Sequence, residues 1–139
     1  DCFLLAGRYT LLEQEPLESF LPLCLERDVR IIVGGPYNSG ILATGAIEGA
    51  KYNYGDAPED VLERVRGIES ICDRHNVPLQ AAALQFPFGH PAIATIIPGA
   101  RSVEEIQTNV SYFEHHIPAD FWSELKHESL LGETVPVPA

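Results

Sequence analysis

Methionine is absent from these 139 residues, tryptophan occurs once, and nine lysines and arginines face twenty acidic side chains. Each scarcity removes something. With no methionine, and with residue 1 running straight into the apolar Cys2-Phe3-Leu4-Leu5-Ala6, the chain is expected to be a piece of a longer protein. A net charge of −11 and a pI near 4.7 exclude general nucleic-acid binding, which needs clustered cations against the phosphate backbone. No apolar run reaches the roughly 18–20 residues that span a bilayer, and no basic stretch followed by an apolar one marks a leader. Three cysteines, Cys2, Cys24 and Cys72, are odd in number and widely separated, with no CxxC spacing. Buried free thiols in a reducing compartment, the cytoplasm by default, fit them better than disulfides or zinc. The GxGxxG fingerprint of Rossmann folds is missing, as is any internal repeat of about 20–50 residues.

What is present is an alternation of short apolar runs with helical patterns. Phe3-Leu4-Leu5-Ala6 is continuously apolar, as a parallel strand covered on both faces is. Pro16 then opens a pattern with Leu17, Phe20, Leu21, Cys24 and Leu25 on one face, which predicts a helix of about three turns. Val29–Val33 is a second strand, ending abruptly at Gly34-Gly35-Pro36-Tyr37-Asn38-Ser39-Gly40. Residues 43–58 lack any period and predict a long surface loop, a kind that is usually functional. Pro58 to His75 gives the clearest amphipathic helix, stopped at Asn76, and Pro78 opens a more apolar one through Phe86. Ala92–Ile97 is the third strand; Ser102 caps a helix over Val103–Tyr112, with Glu105 placed to complete a capping box. A last helix is expected from Pro118 to about Leu131, followed by an extended tail. Strand, helix and strand with short links make a βαβ unit and a parallel sheet. Three such strands need neighbours, so the order fits a slice of an α/β barrel or of a doubly wound sheet. Both put ligands at the carboxyl ends of strands.

Two strand exits carry the chemistry. In Gly34–Gly40 the glycines let backbone approach a ligand and Asn38 and Ser39 add hydrogen-bonding groups, although an ordinary tight turn uses the same residues. In Ile96–Asn109 a strand stops at Pro98-Gly99 and a helix starts at Ser102, which aims free N–H groups and a positive dipole end at one spot. Phosphate suits that spot, with Arg101 in reach and Asn109 two turns on to bond a base or ribose; a plain capped surface helix is the alternative. His75 and His115-His116 sit near helix ends and His90 in a Gly-Pro loop, without metal-ligand spacing, so no metal is assigned. The acidic pairs Glu13/Glu15 and Glu104/Glu105 fit solvated or capping charges rather than a glycosidase dyad.

Taken in order, Leu4-Leu5-Ala6-Gly7-Arg8-Tyr9-Thr10-Leu11-Leu12, Gly35-Pro36-Tyr37-Asn38-Ser39-Gly40-Ile41-Leu42 and Ile97-Pro98-Gly99-Ala100-Arg101-Ser102 resemble the aldo-keto reductase superfamily. Within it they resemble the branch of L-fucose, D-threo-aldose and L-galactose dehydrogenases and pyridoxal 4-dehydrogenase, from Phe3 to about Leu131. The resemblance implies an α/β fold, a (β/α)8 TIM barrel. Residues 1–139 would be its C-terminal portion, with about strands six to eight, their helices and an extended tail over 132–139. The remaining N-terminal half of the barrel is then its partner. Gly35, Pro36, Tyr37, Asn38, Ser39 and Gly40 are implied to lie along the nicotinamide ribose and pyrophosphate of NAD or NADP. Gly99, Ala100, Arg101, Glu105 and Asn109 are implied to hold the adenosine half.

The catalytic Asp, Tyr, Lys and His tetrad of that superfamily belongs to the first half of the barrel, so no catalytic residue is assigned here. Departures are also implied: Gly34 stands where many members carry an aromatic ring, Ala6 where a carboxamide-binding Gln is expected, and Gly99 and Glu105 where NADPH-selective members carry Lys and Arg. A carboxylate at Glu105 favours NAD, while Arg101 remains able to pair with a 2′-phosphate. The expected activity is hydride transfer from an aldose or related polar, pyridoxal-like alcohol to nicotinamide, inactive in this portion alone. The rival expectations are a non-catalytic dinucleotide-binding module and a cofactor-free structural domain.

Overall fold

A computed structural model describes every residue from Asp1 to Ala139. Strand β1 is Cys2–Ala6; a single 3-10 turn at Glu15–Leu17 precedes α1, Phe20–Glu26, which leads to β2, Arg30–Gly34. A short helix α2, Ile41–Thr44, is followed by a hairpin of β3, Lys51–Tyr52, and β4, Gly55–Asp56. The rest is α3, Glu59–His75; α4, Leu79–Gln85; β5, Ile93–Ile97; α5, Val103–Phe113; and α6, Ala119–His127.

β1, β2 and β5 form one parallel sheet in that order, so its neighbours follow the chain as they do around a barrel. The register pairs Phe3 with Ile31 and Leu5 with Val33, which puts these four on one face. Helices cover that face over β2, where Ile31 and Val33 are fully buried, and less over the edge strand β1, where Leu5 is half-buried and Phe3 56% exposed. The other face presents Leu4, Ala6, Ile32 and Gly34 and is open towards its two edges: Leu4 is 63% exposed and Ile97 on β5 54%, while Ile32 is half-buried and Gly34 buried between them. A second uncovered apolar surface runs down α5 through Val103, Ile106, Val110 and Phe113, all exposed.

The core lies on the helical side. Val65, Ile68 and Ile71 of α3 repeat at three-residue steps and pack with Phe121, Trp122 and Leu125 of α6, each fully burying side chain contributing about 1.5–3 kcal/mol. α3 has its ends well defined: Pro58 is extended before it, Glu59 and Asp60 suit its positive end, and Asn76 at φ 53° ends it. Ala81, Ala82 and Ala83 let α4 approach the core closely, and all three are buried. The Arg64 guanidinium fastens the β1 exit to the chain after α6, donating to Leu11 O at 3.1 Å, Leu12 O at 3.1 Å and Leu130 O at 2.9 Å.

Several expectations need correction. α1 has seven residues rather than about three turns, because the Pro16 region closes only a 3-10 turn; Leu25, expected on the buried face, is 42% exposed. The stretch from Ala43 to Pro58 is not structureless. Its strands are two residues each, too short to show a period. The last helix ends at His127, and Ser129 at φ 58° turns the chain away. Cys24 and Cys72 are buried as expected, but Cys2 on the edge strand is exposed. The tail is irregular rather than free: Val135 is buried, and the backbone at Val137 passes against Gly89. No helix is long and apolar enough to cross a membrane.

Candidate functional site

Parallel strands bring their carboxyl ends to one edge of the sheet, so the loops after β1, β2 and β5 gather there. The β2 exit holds three successive left-handed residues, Asn38 at φ 49°, Ser39 at φ 61° and Gly40 at φ 108°. Glycine takes that backbone freely and asparagine with little strain, whereas Ser39 costs about 1–2 kcal/mol by the usual steric penalty. Buried hydrogen bonding holds them. Asn38, 1% exposed, donates its Nδ2 to Thr10 Oγ1 at 3.2 Å. That oxygen also accepts the Leu12 and Glu13 N–H groups at 3.1 and 3.2 Å. The β1 and β2 exits are thus tied into one unit, and strained backbone of this kind clusters at ligand sites.

At the β5 exit, Ser102 is extended and accepts the Glu105 N–H at 3.1 Å, as the sequence predicts for an N-cap. The reciprocal half of the expected capping box is displaced by one residue. Glu105 Oε2 accepts the N–H of Arg101 at 2.6 Å, not that of Ser102, and its Oε1 lies 3.6 Å from Arg101 Nη2. Backbone N–H bonding holds the neighbouring Glu104 carboxyl below the ordinary range. The helix start therefore presents two carboxylates of its own, and Arg101 already has a counter-charge. A free phosphate is a poorer match for this junction than the bare motif implied.

Tyr37, Gly40, Gly99, Ala100, Arg101, Glu105 and Asn109 line one cleft of ≈ 690 Å³ between the β2 and β5 exits. The Tyr37 hydroxyl donates to Asn109 Oδ1 at 2.7 Å and closes one side, leaving the Asn109 amide nitrogen to donate elsewhere. Burial, with Tyr112 nearby, pushes the Tyr37 phenol up, so it stays a neutral donor. Gly35, Asn38 and Ser39 open instead on a second cavity of ≈ 250 Å³. Pro36 is buried and lines neither. Ala6 and Gly34 are register partners; a Cβ on Gly34 would meet Leu4 Cδ1 at 3.4 Å and Ala6 Cβ at 3.7 Å, ordinary van der Waals contacts, so the strands pack closely there.

Sequence reasoning did not include Thr44, Gln80, Glu104, Thr108 and Tyr112, which also line the larger cleft. Glu105, Thr108 and Tyr112 step down α5 at helical spacing, a polar stripe that the sequence did offer. Gln80 is placed by donating to Ala43 O at 2.6 Å, which nothing local signals. The smaller cavity adds Arg8, Asn53 and Tyr54. The hairpin reaches it through two clips: Tyr52 and Asn53 both donate to Glu13, and the Tyr54 N–H donates to Ser39 Oγ at 3.0 Å. Burial and the Glu13 carboxylate push the Tyr52 phenol up to about 12.

A family model, Aldo/keto reductase family, matches residues 2–128. Pyridoxal 4-dehydrogenase of Microbacterium luteolum is 46% identical over 132 residues, covering 95% of this chain and 39% of that protein. D-threo-aldose 1-dehydrogenase of a Pseudomonas species is 36% identical over 132 residues, covering 94% of this chain and 40% of that one. The holo form of an aldo-keto reductase from Bacillus halodurans superposes with a TM-score of 0.69 at 25% identity, over 96% of this chain and 43% of that one. The chain spans about 40% of the length of the curated relatives it matches. Its sheet and helices form part of a (β/α)8 barrel. By the matched span and by the order of its strand exits, the chain belongs to the aldo/keto reductase family.

Proposed function

We propose that residues 1–139 are the C-terminal, dinucleotide-binding portion of an oxidoreductase that oxidises an aldose or a pyridoxal-like alcohol, with NAD favoured over NADP. The observation that carries this reading is the cleft of ≈ 690 Å³ bridged by Tyr37 and Asn109, where two separate strand exits converge. Its donors and acceptors suit a nucleotide: an amide nitrogen free to meet a base, a carboxylate to accept ribose hydroxyls, and a left-handed loop whose backbone a pyrophosphate can approach. The dinucleotide supplies the hydride acceptor when bound.

The chain's own residues bind and orient. Asn109 and Glu105 hold the adenosine end, with Arg101, Gly99 and Ala100 forming its rim. Asn38, Ser39 and Gly40 shape the loop beneath the pyrophosphate and ribose, and Gly35 and Pro36 seat that loop on the sheet. Glu105 supports NAD in two ways: its carboxylate repels a 2′-phosphate, and it already engages the Arg101 charge that would have to receive one. The proton acceptor for the substrate hydroxyl lies in the N-terminal half of the barrel. That half covers the open sheet face at Leu4 and Ile97 and the apolar stripe of α5. Two buried free thiols, Cys24 and Cys72, fit a reducing cytoplasm.

Steady-state turnover of the complete barrel with NAD and with NADP, on an aldose and on pyridoxal, tests the proposal. A higher kcat/KM with NAD is expected. A strong NADP preference would overturn the NAD assignment, and failure to bind either dinucleotide would overturn the oxidoreductase reading itself.

A further inference from the structure

Three separate stretches of the chain close a ring of hydrogen bonds beside the β2 exit. After β1, Thr10 and Glu13 bond each other's backbone in both directions, Thr10 N–H to Glu13 O at 2.9 Å and Glu13 N–H to Thr10 O at 3.2 Å, so residues 10–13 form a fixed turn. The Gln14 amide braces that turn by donating to Thr10 O at 2.7 Å, and the Arg64 guanidinium does so by donating to Leu11 O and Leu12 O. Two side chains of the turn then bond other elements. Thr10 Oγ1 accepts the Asn38 amide of the β2 exit. Glu13 Oε1 accepts both the Tyr52 hydroxyl and the Asn53 amide of the β3–β4 hairpin. The hairpin returns to the β2 exit through the Tyr54 N–H, which donates to Ser39 Oγ at 3.0 Å. Asn38 and Ser39 are adjacent, and the ring is closed.

The two halves of the ring hold the β2 exit differently. Asn38 is buried and is held directly by the turn. Ser39 is exposed and left-handed at φ 61°, a backbone that serine does not favour, and the bond of its side chain is to the hairpin. That hairpin has only two residues in each strand, and an isolated two-stranded hairpin is marginal in water. Its place is set where it is anchored, at the half-buried Glu13 carboxylate, and bonds to an ionised acceptor are roughly twice as strong as neutral ones. Glu13 lines neither the larger cleft nor the smaller cavity.

We propose that Glu13 is a positioning residue for the dinucleotide loop: through Tyr52 and Asn53 it fixes the hairpin, and the hairpin fixes Ser39 and with it the backbone of residues 38–40. This rests on the dinucleotide reading above and adds to it a residue that touches neither cofactor nor substrate. Its influence falls on cofactor affinity and not on the hydride step.

The test uses the complete barrel, with calorimetric titration by NAD and steady-state turnover on an aldose and on pyridoxal. Glu13→Leu removes the acceptor of both hairpin bonds and raises the NAD Kd and KM about tenfold, with kcat at saturating NAD within about twofold. Tyr52→Phe, which deletes one hydroxyl and leaves the packing of the ring, moves both the same way by about threefold. Glu13→Gln keeps an acceptor oxygen and restores the NAD Kd to within about threefold of wild type. On a Ser39→Ala background, where the hairpin has lost its bond to the loop, Glu13→Leu raises the Kd no further. An NAD Kd unchanged in both Glu13→Leu and Tyr52→Phe overturns the proposal. So does a tenfold loss repeated in full on the Ser39→Ala background, which would show Glu13 acting on the fold at large, and so does a fall in kcat at unchanged KM. Hydrogen exchange at the Tyr54 amide reads the clip without any ligand and is expected to be about tenfold faster in Glu13→Leu; an unchanged rate overturns the clip. A wild type that binds neither NAD nor NADP, while Tyr54 exchange still depends on Glu13, refutes the dinucleotide reading alone.

Discussion

Replacing Asn38 separates two contributions that the β2 exit combines. Asn38→Ala removes the bond from Nδ2 to Thr10 Oγ1, 3.2 Å long and 1% exposed, and leaves a residue with no tolerance for φ 49°. A lost buried hydrogen bond costs about 0.5–1.5 kcal/mol and the left-handed backbone about 1–2 kcal/mol more, so the sum is about 1.5–3.5 kcal/mol. Asn38→Gly loses the same bond and keeps the backbone, but glycine gives back about 0.5–1 kcal/mol through the entropy of the unfolded chain. The alanine variant is therefore expected to be less stable than the glycine variant by about 0.5–1 kcal/mol. In the complete barrel, of which this chain spans about 40%, each kcal/mol moves Tm by only about 1–2 °C. Denaturant unfolding of both variants, with NAD titration of each, reads the difference. Equal stability, or a glycine variant worse than alanine, would show that left-handed strain at residue 38 contributes nothing, and that the hydrogen bond alone shapes the loop.

Three further outcomes follow from other parts of the molecule. On the proposed cofactor reading, Glu105→Gln removes the carboxylate that would repel a 2′-phosphate; a screened repulsion of this kind is worth about 1–2 kcal/mol, so the NADP-to-NAD ratio of kcat/KM is expected to rise roughly tenfold. An unchanged ratio would remove Glu105 from cofactor choice. Burial holds the His90 imidazole below its ordinary value near 6.5, and its Nδ1 accepts the Ala92 N–H at 3.2 Å. The unfolded chain thus binds the proton first, so stability is full above pH 6.5 and falls as pH drops below it; His90→Asn flattens that slope in urea unfolding between pH 7.5 and 5.5. A slope the same as wild type would exclude His90 as its source. Gly89→Ala sets a Cβ 2.6 Å from the Val137 backbone, which must move, so a loss of about 1–3 kcal/mol and faster proteolysis of the tail are expected. Wild-type stability would mean that the tail is not packed there.

Hydrophobic period told the long elements correctly. α3 spans residues with an unbroken stripe and a clear stop at Asn76, and the structure starts it one residue after Pro58. Short elements escaped for the same reason: β3 and β4 contain no repeat to detect, and the apolar pattern of 17–25 looked like one helix although only Phe20–Glu26 is helical. Both exit loops of the cleft were readable because glycine, proline and a capping serine mark backbone that side chains cannot hide. The placement of Gln80 and Tyr54 was not, since each depends on a partner far along the chain, Ala43 O for one and Ser39 Oγ for the other. The shift of Glu105 onto Arg101 likewise needs coordinates: Ser102 and Glu105 have capping-box spacing whichever N–H the carboxylate takes.

The central claim is that this chain holds the adenosine half of a dinucleotide. Calorimetric titration of the complete barrel with ADP-ribose, which carries no nicotinamide, isolates that half. Saturable binding is expected, weakened about tenfold in Asn109→Ala by the loss of one well-placed amide contact. ADP-ribose that does not bind, or that binds Asn109→Ala as tightly as wild type, would contradict it.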